Sequence, residues 1–195
     1  MSSRQDYLRS MFTANGERKY VTQNEVKRFL VCARAHGEAQ YLLCHVLAYS
    51  GIRLSEAINL TVQSVDLELG AIIVRTLKQD GKTIYRALPM PQRSLKRLLK
   101  LAKTQDCQRF WPIHRMTAYR WLKAIMQEAD LDGAKATSRG LRHGFAIQNL
   151  ESEISFHQVN DWLGHSELKT TMIYTKFAMK LQHKLAQRRW RMIES

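Results

Sequence analysis

The sequence predicts a mainly helical α+β domain that carries one small, three-stranded antiparallel sheet. Three observations predict it. Capped stretches of helical periodicity fill both flanks of the chain. Between them, residues 62–89 alternate apolar and polar side chains around Gly70 and an Asp80-Gly81 turn signal. Hydrophobic residues make up 45% of the 195, enough for one core with short appendages and too many for a disordered chain.

Taken in order, residues 1–20 are polar and aperiodic, with an Asn15-Gly16 turn signal, and are expected to form a loose arm. Thr22 with Glu25 makes a capping box that opens a helix through Val26, Phe29, Leu30 and Ala33, ended by Gly37. Residues 38–49 are apolar around most of a helical circumference and are expected to form the buried central helix. Ser50-Gly51 breaks it, and Arg53 enters a short helix over 54–60 with Glu56 in its first turn. The strands are read in V-D-L-E-L-G, A-I-I-V-R-T-L and T-I-Y-R-A-L-P. Helical pattern returns over 91–103, with Pro91 suited to the first turn. The segment 109–112 is a loop. Helices follow over 114–129, 138–150, 156–163 and 166–177, and a basic helical tail over 178–193 places Leu181, Leu185 and Trp190 on one side.

Thirty-one Lys and Arg against seventeen Asp and Glu leave a formal charge of +14. A surplus this large repels itself and implies a polyanionic partner. Nucleic acid fits better than a membrane surface, because no basic amphipathic stretch with a Trp/Leu face dominates the chain. Cys32, Cys44 and Cys107 have no C-x-x-C spacing and read as free thiols in a reducing compartment. The start, M-S-S-R-Q-D-Y, lacks a signal-peptide core, and the longest apolar run, 41–49, is too short to span a bilayer. The expectation is a cytoplasmic, nucleoid-associated protein.

The C-terminal third gathers unusual chemistry. Arg139 and Arg142 stand three residues apart at a helix start, so both can address one anion beside free backbone N–H groups. An isolated R-x-x-R is more often a solvated basic face; here the setting is apolar and flanked by glycines. His165 follows Gly164, a C-cap, and precedes the next helix start at Ser166. A histidine there can bond a phosphate or move a proton, although alone it is more often structural. Tyr174 falls about two and a half turns into the following helix, where a tyrosine is ordinarily a packing residue.

In order and spacing, G-I-R-L-S-E-A at 51–57, L-R-H-G-F-A at 141–146, L-G-H-S at 163–166 and T-T-M-I-Y-T at 170–175 resemble the tyrosine recombinases, the phage-integrase family. The resemblance runs from about residue 20 to 177. It implies a catalytic domain over 21–177, between an arm at 1–20 and a basic tail at 178–195. It also implies a site-specific DNA recombinase that works through a 3′-phosphotyrosyl intermediate and a Holliday junction. By resemblance, Arg53 and Arg142 clamp the scissile phosphate, and Tyr174 is the nucleophile that frees a 5′-hydroxyl. His165 supports the phosphate and assists proton transfer. Glu56 braces Arg53, unless it is an ordinary surface glutamate. A hairpin lysine, Lys78 with Lys82 as competitor, protonates the leaving 5′-oxygen. Because the phosphodiester energy is conserved, no ATP, metal or other cofactor is implied.

Two departures from the family pattern carry expectations of their own. The motif reads R-G-L-R-H where H-x-L-R-H is usual, so Arg139 stands in place of a histidine. A guanidinium cannot act as a base near neutral pH. That proton handling is therefore expected to be absent or moved to His165, with His143 a structural hydrogen-bonder. Only about twenty residues precede the catalytic region, as in short recombinases of the fimbrial-switch type. The expected partners are double-stranded DNA, further copies in a homotetramer with a dimer per site, and accessory DNA-bending proteins, with no membrane. The tail would dock on a neighbouring protomer or on its own domain. The alternatives are a catalytically weak or inactive DNA-binding accessory protein of the same fold, and a nicking-closing enzyme without strand exchange.

Overall fold

The computed structural model describes residues 11–77, 83–164 and 168–194. Among the described residues there are nine α-helices and one three-stranded sheet: α1 (Gln23–Ala33), α2 (Glu38–Ser50), α3 (Leu54–Ile58), β1 (Val65–Asp66), β2 (Ala71–Leu77), β3 (Thr83–Pro89), α4 (Gln92–Gln105), α5 (Arg115–Glu128), α6 (Ser138–Glu151), α7 (Phe156–Leu163), α8 (Leu168–Thr175) and α9 (Met179–Glu194). The mainly helical α+β architecture is the one the periodicities predict.

The capping box at Thr22 forms: the Glu25 carboxylate accepts from the Thr22 backbone N–H at 2.7 Å, and the Thr22 hydroxyl accepts from the Glu25 N–H at 3.4 Å. Helix α2 is buried on most of its surface, because apolar residues occupy nearly every angular position along it. The sheet runs β1-β2-β3, all antiparallel, with Ile72 opposite both Val65 and Leu88. Strands β2 and β3 pair as far as Leu77 opposite Thr83. The Asp80-Gly81 turn, Lys78 and Lys82 lie outside the described residues.

Several boundaries differ from expectation. Strand β1 is only two residues long, because the Asp66 side chain accepts from the Leu69 N–H at 2.8 Å and turns the chain early, leaving Leu67 and Leu69 exposed. Pro91 is the N-cap of α4, with extended ψ of 131°, and not its first helical residue. The loop at Arg109–Pro112 is not a surface loop: Phe110 and Trp111 are buried, and the Trp111 ring N–H donates to the Ala39 carbonyl at 2.8 Å. The supposedly loose arm is also packed over residues 11–20. Phe12 pairs with Arg18 across the Asn15-Gly16 turn, Met11 is buried, and the Phe12 ring meets those of Tyr20 and Phe177. A few apolar side chains in a polar stretch suffice once the turn folds them onto one side.

The core has two parts. The larger joins α1 to α6 through residues such as Phe29, Leu47, Ile72, Leu98, Trp111, Leu122 and Leu141. The smaller joins Met11, Phe145, Leu150, Val159, Leu163, Tyr174 and Ala178. Helix α6 contributes to both, with Leu141 in one and Phe145 in the other, so residues 142 and 143 lie at the seam.

Candidate active site

Arg142 is the buried centre of the site. Helix α6 starts at a Thr137 cap whose hydroxyl accepts from the Gly140 N–H at 2.9 Å, which sets Arg142 in its second turn. The guanidinium donates to the Gly51 carbonyl at 2.8 Å and to the Leu163 carbonyl at 2.7 Å. Those carbonyls belong to the C-terminal ends of α2 and α7, where unpaired oxygens and the helix dipole favour a cation. Burial, then the charge of Arg53, pushes the Arg142 group down to about 10, which leaves it fully charged near neutral pH. Gly51 allows this approach: its φ is 62°, and a Cβ there would lie 2.4 Å from the Phe145 ring.

Arg53 caps α3, and its side chain is nearly half exposed. The Glu56 carboxylate holds it from below, accepting from the Arg53 backbone N–H at 2.8 Å and its guanidinium at 3.0 Å. Glu56 is not a surface glutamate. Its side chain is 8% exposed and also accepts from the Thr76 hydroxyl at 3.0 Å and the Arg86 guanidinium at 2.8 Å. Burial alone would raise its carboxyl, but the bonds and charge of Arg86, with help from Arg53, hold it below the usual range. Arg86 also bonds the Thr76 hydroxyl and donates to the Trp162 carbonyl at 2.9 Å. A Cβ on Gly164 would meet the Arg86 guanidinium at 2.7 Å.

Tyr174, on α8, is 3% exposed, and its hydroxyl lies 2.9 Å from Nδ1 of His143. Burial raises the phenol above its ordinary range, opposed by the charges of Arg142, Arg139 and Arg53. Burial, reinforced by Arg139, Arg142 and Lys19, pushes the His143 imidazole down to about 4. Both groups are therefore neutral near pH 7. Arg139 is exposed in the first turn of α6.

Of the residues singled out in the sequence, Arg53, Arg139, Arg142 and His143 thus act on the Tyr174 phenol, with Glu56 behind Arg53. Lys78, Lys82 and His165 lie outside the described residues. Sequence reasoning missed Arg86 and Thr76, which tie the hairpin to Glu56. The signal was present in the alternation of β3: Arg86 stands in phase with core-facing Leu88, where an arginine needs a buried partner. Among the described residues no His, Cys, Asp or Glu group could hold a metal ion, and no helix is long and apolar enough to cross a membrane.

Fold and site together define a mainly helical domain that gathers guanidinium groups around one buried tyrosine. The sequence profile of the phage integrase family matches residues 19–180, and the chain belongs to that family. It is 31% identical over 185 residues to the tyrosine recombinase XerA of Thermococcus onnurineus, covering 90% of this chain and 64% of that protein. The crystal structure of XerA recombinase superposes with a TM-score of 0.73 at 27% identity, over 87% of this chain and 65% of the other. The fold is also shared with XerH site-specific recombinase bound to palindromic difH substrate, with a TM-score of 0.73 at 21% identity over 86% of this chain and 52% of that one. The chain thus spans less than two thirds of the length of these relatives.

Proposed function

We propose that the chain cleaves and rejoins double-stranded DNA as a site-specific tyrosine recombinase. The observation that carries this reading is the convergence of three arginine charges on the buried Tyr174 phenol. Attack of the Tyr174 oxygen on a phosphodiester forms a 3′-phosphotyrosyl link and breaks the bond to the 5′-oxygen. Arg53 and Arg142 neutralise the charge that builds on the non-bridging oxygens. Arg139, one turn before Arg142, adds a further phosphate donor. Glu56 and Arg86 hold Arg53 in place. Lys78 protonates the leaving 5′-oxygen, and His165 supports the phosphate. Rejoining to a partner strand leads through a Holliday junction, with no cofactor consumed.

The partner is duplex DNA, bound by a tetramer with a dimer at each site, in the cytoplasm on the nucleoid and aided by accessory DNA-bending proteins. The +14 charge supports this, because counterion release drives such binding and makes it strongly salt-dependent. Exposed Leu185, Trp190 and Ile193 on α9 offer a face for exchange between protomers.

The test is a nicked suicide duplex carrying the site footprinted on the DNA that flanks the gene. Wild type should give a covalent protein–DNA adduct and Tyr174→Phe none, with footprints unchanged. Intact binding without any wild-type adduct would favour a DNA-binding accessory protein. Adduct formation by Tyr174→Phe would place the nucleophile elsewhere.

A further inference from the structure

We propose that His143 is the catalytic base, taking the phenolic proton from Tyr174 during cleavage and returning it during rejoining. This rests on the recombinase reading above and adds the route of the nucleophile's proton. Arg139 occupies the motif position of a histidine, and a guanidinium cannot accept a proton. His143 Nδ1 stands 2.9 Å from the Tyr174 oxygen, within the reach that a general base requires. With Nε2 protonated, Nδ1 presents its lone pair to the phenol.

The surroundings suit an acceptor. The charged and titratable groups that act on His143 are Arg139 and Arg142 from its own helix, Lys19 from the N-terminal segment, and Tyr174 from α8. Burial and the three cations keep the imidazole unprotonated at rest, with its lone pair available, and they also hold down its basicity. Negative charge that develops on the phosphorus centre offsets those cations when the proton moves. Arg142 and Tyr174 are both buried, and the Arg142 charge acts on the phenol. His143 directly follows Arg142, so the base stays with the clamp.

The step balances. The Tyr174 oxygen bonds to phosphorus as its O–H bond breaks, and the proton passes to Nδ1, giving an imidazolium. The bond from phosphorus to the 5′-oxygen breaks with its electron pair on oxygen, which takes a proton from the hairpin ammonium assigned to Lys78. In rejoining, the 5′-hydroxyl gives its proton back to the lysine and attacks phosphorus. The Tyr174 oxygen leaves with the proton from His143.

The test measures adduct formation on the suicide duplex with His143→Asn, which keeps a polar atom near the Nδ1 position but cannot take the proton. The expected result is a slowing of about 10²- to 10⁴-fold, with footprint and melting temperature kept. In His143→Ala, added imidazoles should restore the rate in order of their basicity, which a merely structural role would not produce. Nitrogen NMR of wild type needs no variant to fold, and should find Nδ1 unprotonated at neutral pH. A protonated Nδ1, rescue indifferent to basicity, or a His143→Asn rate within about threefold of wild type or above it would overturn the proposal. If wild type itself forms no adduct, the recombinase reading falls and the base assignment with it. If wild type reacts and only the His143 results disagree, the recombinase reading stands alone.

Discussion

The Arg86 guanidinium meets the Glu56 carboxylate at 2.8 Å across thirty residues of sequence, with each side chain 8% exposed. This pair joins strand β3 to the helix that Arg53 caps, and the Trp162 carbonyl extends it to the end of α7. Replacing Arg86 with Leu leaves a buried carboxylate with Arg53 and Thr76 alone. Breaking a buried pair from one side is costly, so a loss of about 3 kcal/mol is expected in urea denaturation. Glu56 should also titrate higher in the variant. Its depressed carboxyl adds stability at neutral pH that is lost as pH falls through its folded value, and that acid dependence should shrink. An unchanged acid limb would mean that Arg86 contributes packing and not charge.

The sequence made the fold class and six residues of the candidate site legible because periodicity, caps and motif spacing are local. Arg86 and Thr76 were hidden because their partner, Glu56, is reached only across the sheet. The contact of His143 with Tyr174 was hidden for a related reason: the two are thirty-one residues apart, and only the packing of α6 on α8 sets their separation. The packed N-terminal segment was misread because Phe12 and Tyr20 find their partner, Phe177, at the other end of the chain.

Gly51 serves the site through its backbone. Its carbonyl accepts from Arg142, and its left-handed φ of 62° ends α2. Alanine there meets both the left-handed penalty and the Phe145 ring, so Gly51→Ala should cost roughly 2–4 kcal/mol. Because Phe145 and Arg142 share α6, adduct formation should fall even at temperatures where the variant is folded. A variant that melts early but reacts at the wild-type rate when folded would separate the glycine from the clamp.

One buried and one half-buried histidine set a second acid dependence. His45 is held down to about 4 by burial, then by Arg97 and Arg34, and His143 lies at about 4 as well. An unfolded chain binds these protons below the ordinary value of 6.5, while the folded chain does not until about 4. Their contribution is therefore complete above 6.5 and is lost as pH falls toward 4. His45→Phe keeps a ring beside Tyr49, which His45 stacks on at 4.0 Å, and removes a buried Nδ1 that has no hydrogen-bond partner. Thermal midpoints across that range should fall less steeply in the variant. An equal slope would mean that His45 titrates normally in the folded protein.

Helix α9 divides into a half that packs and a half that does not. Ala178, just before the helix, is buried in the smaller core and Leu181 packs against it, while Lys180 and Lys184 reach Glu151 and Glu153. Beyond them Leu185, Trp190 and Ile193 are 52%, 45% and 69% exposed. Apolar side chains in this state add little to the stability of one chain, so Leu185→Ser with Trp190→Ser should shift stability by no more than about 0.5 kcal/mol. Leu181→Ser, in contrast, removes packed surface and should cost about 1–3 kcal/mol. If the outer face docks on a neighbouring protomer, the double variant should still form the tyrosyl adduct on a single site. It should lose the slower-migrating synaptic species on native gels and, with it, strand exchange. Full recombination by the double variant would assign α9 to its own domain alone. A stability loss equal to that of Leu181→Ser would mean that the outer half packs at home in solution.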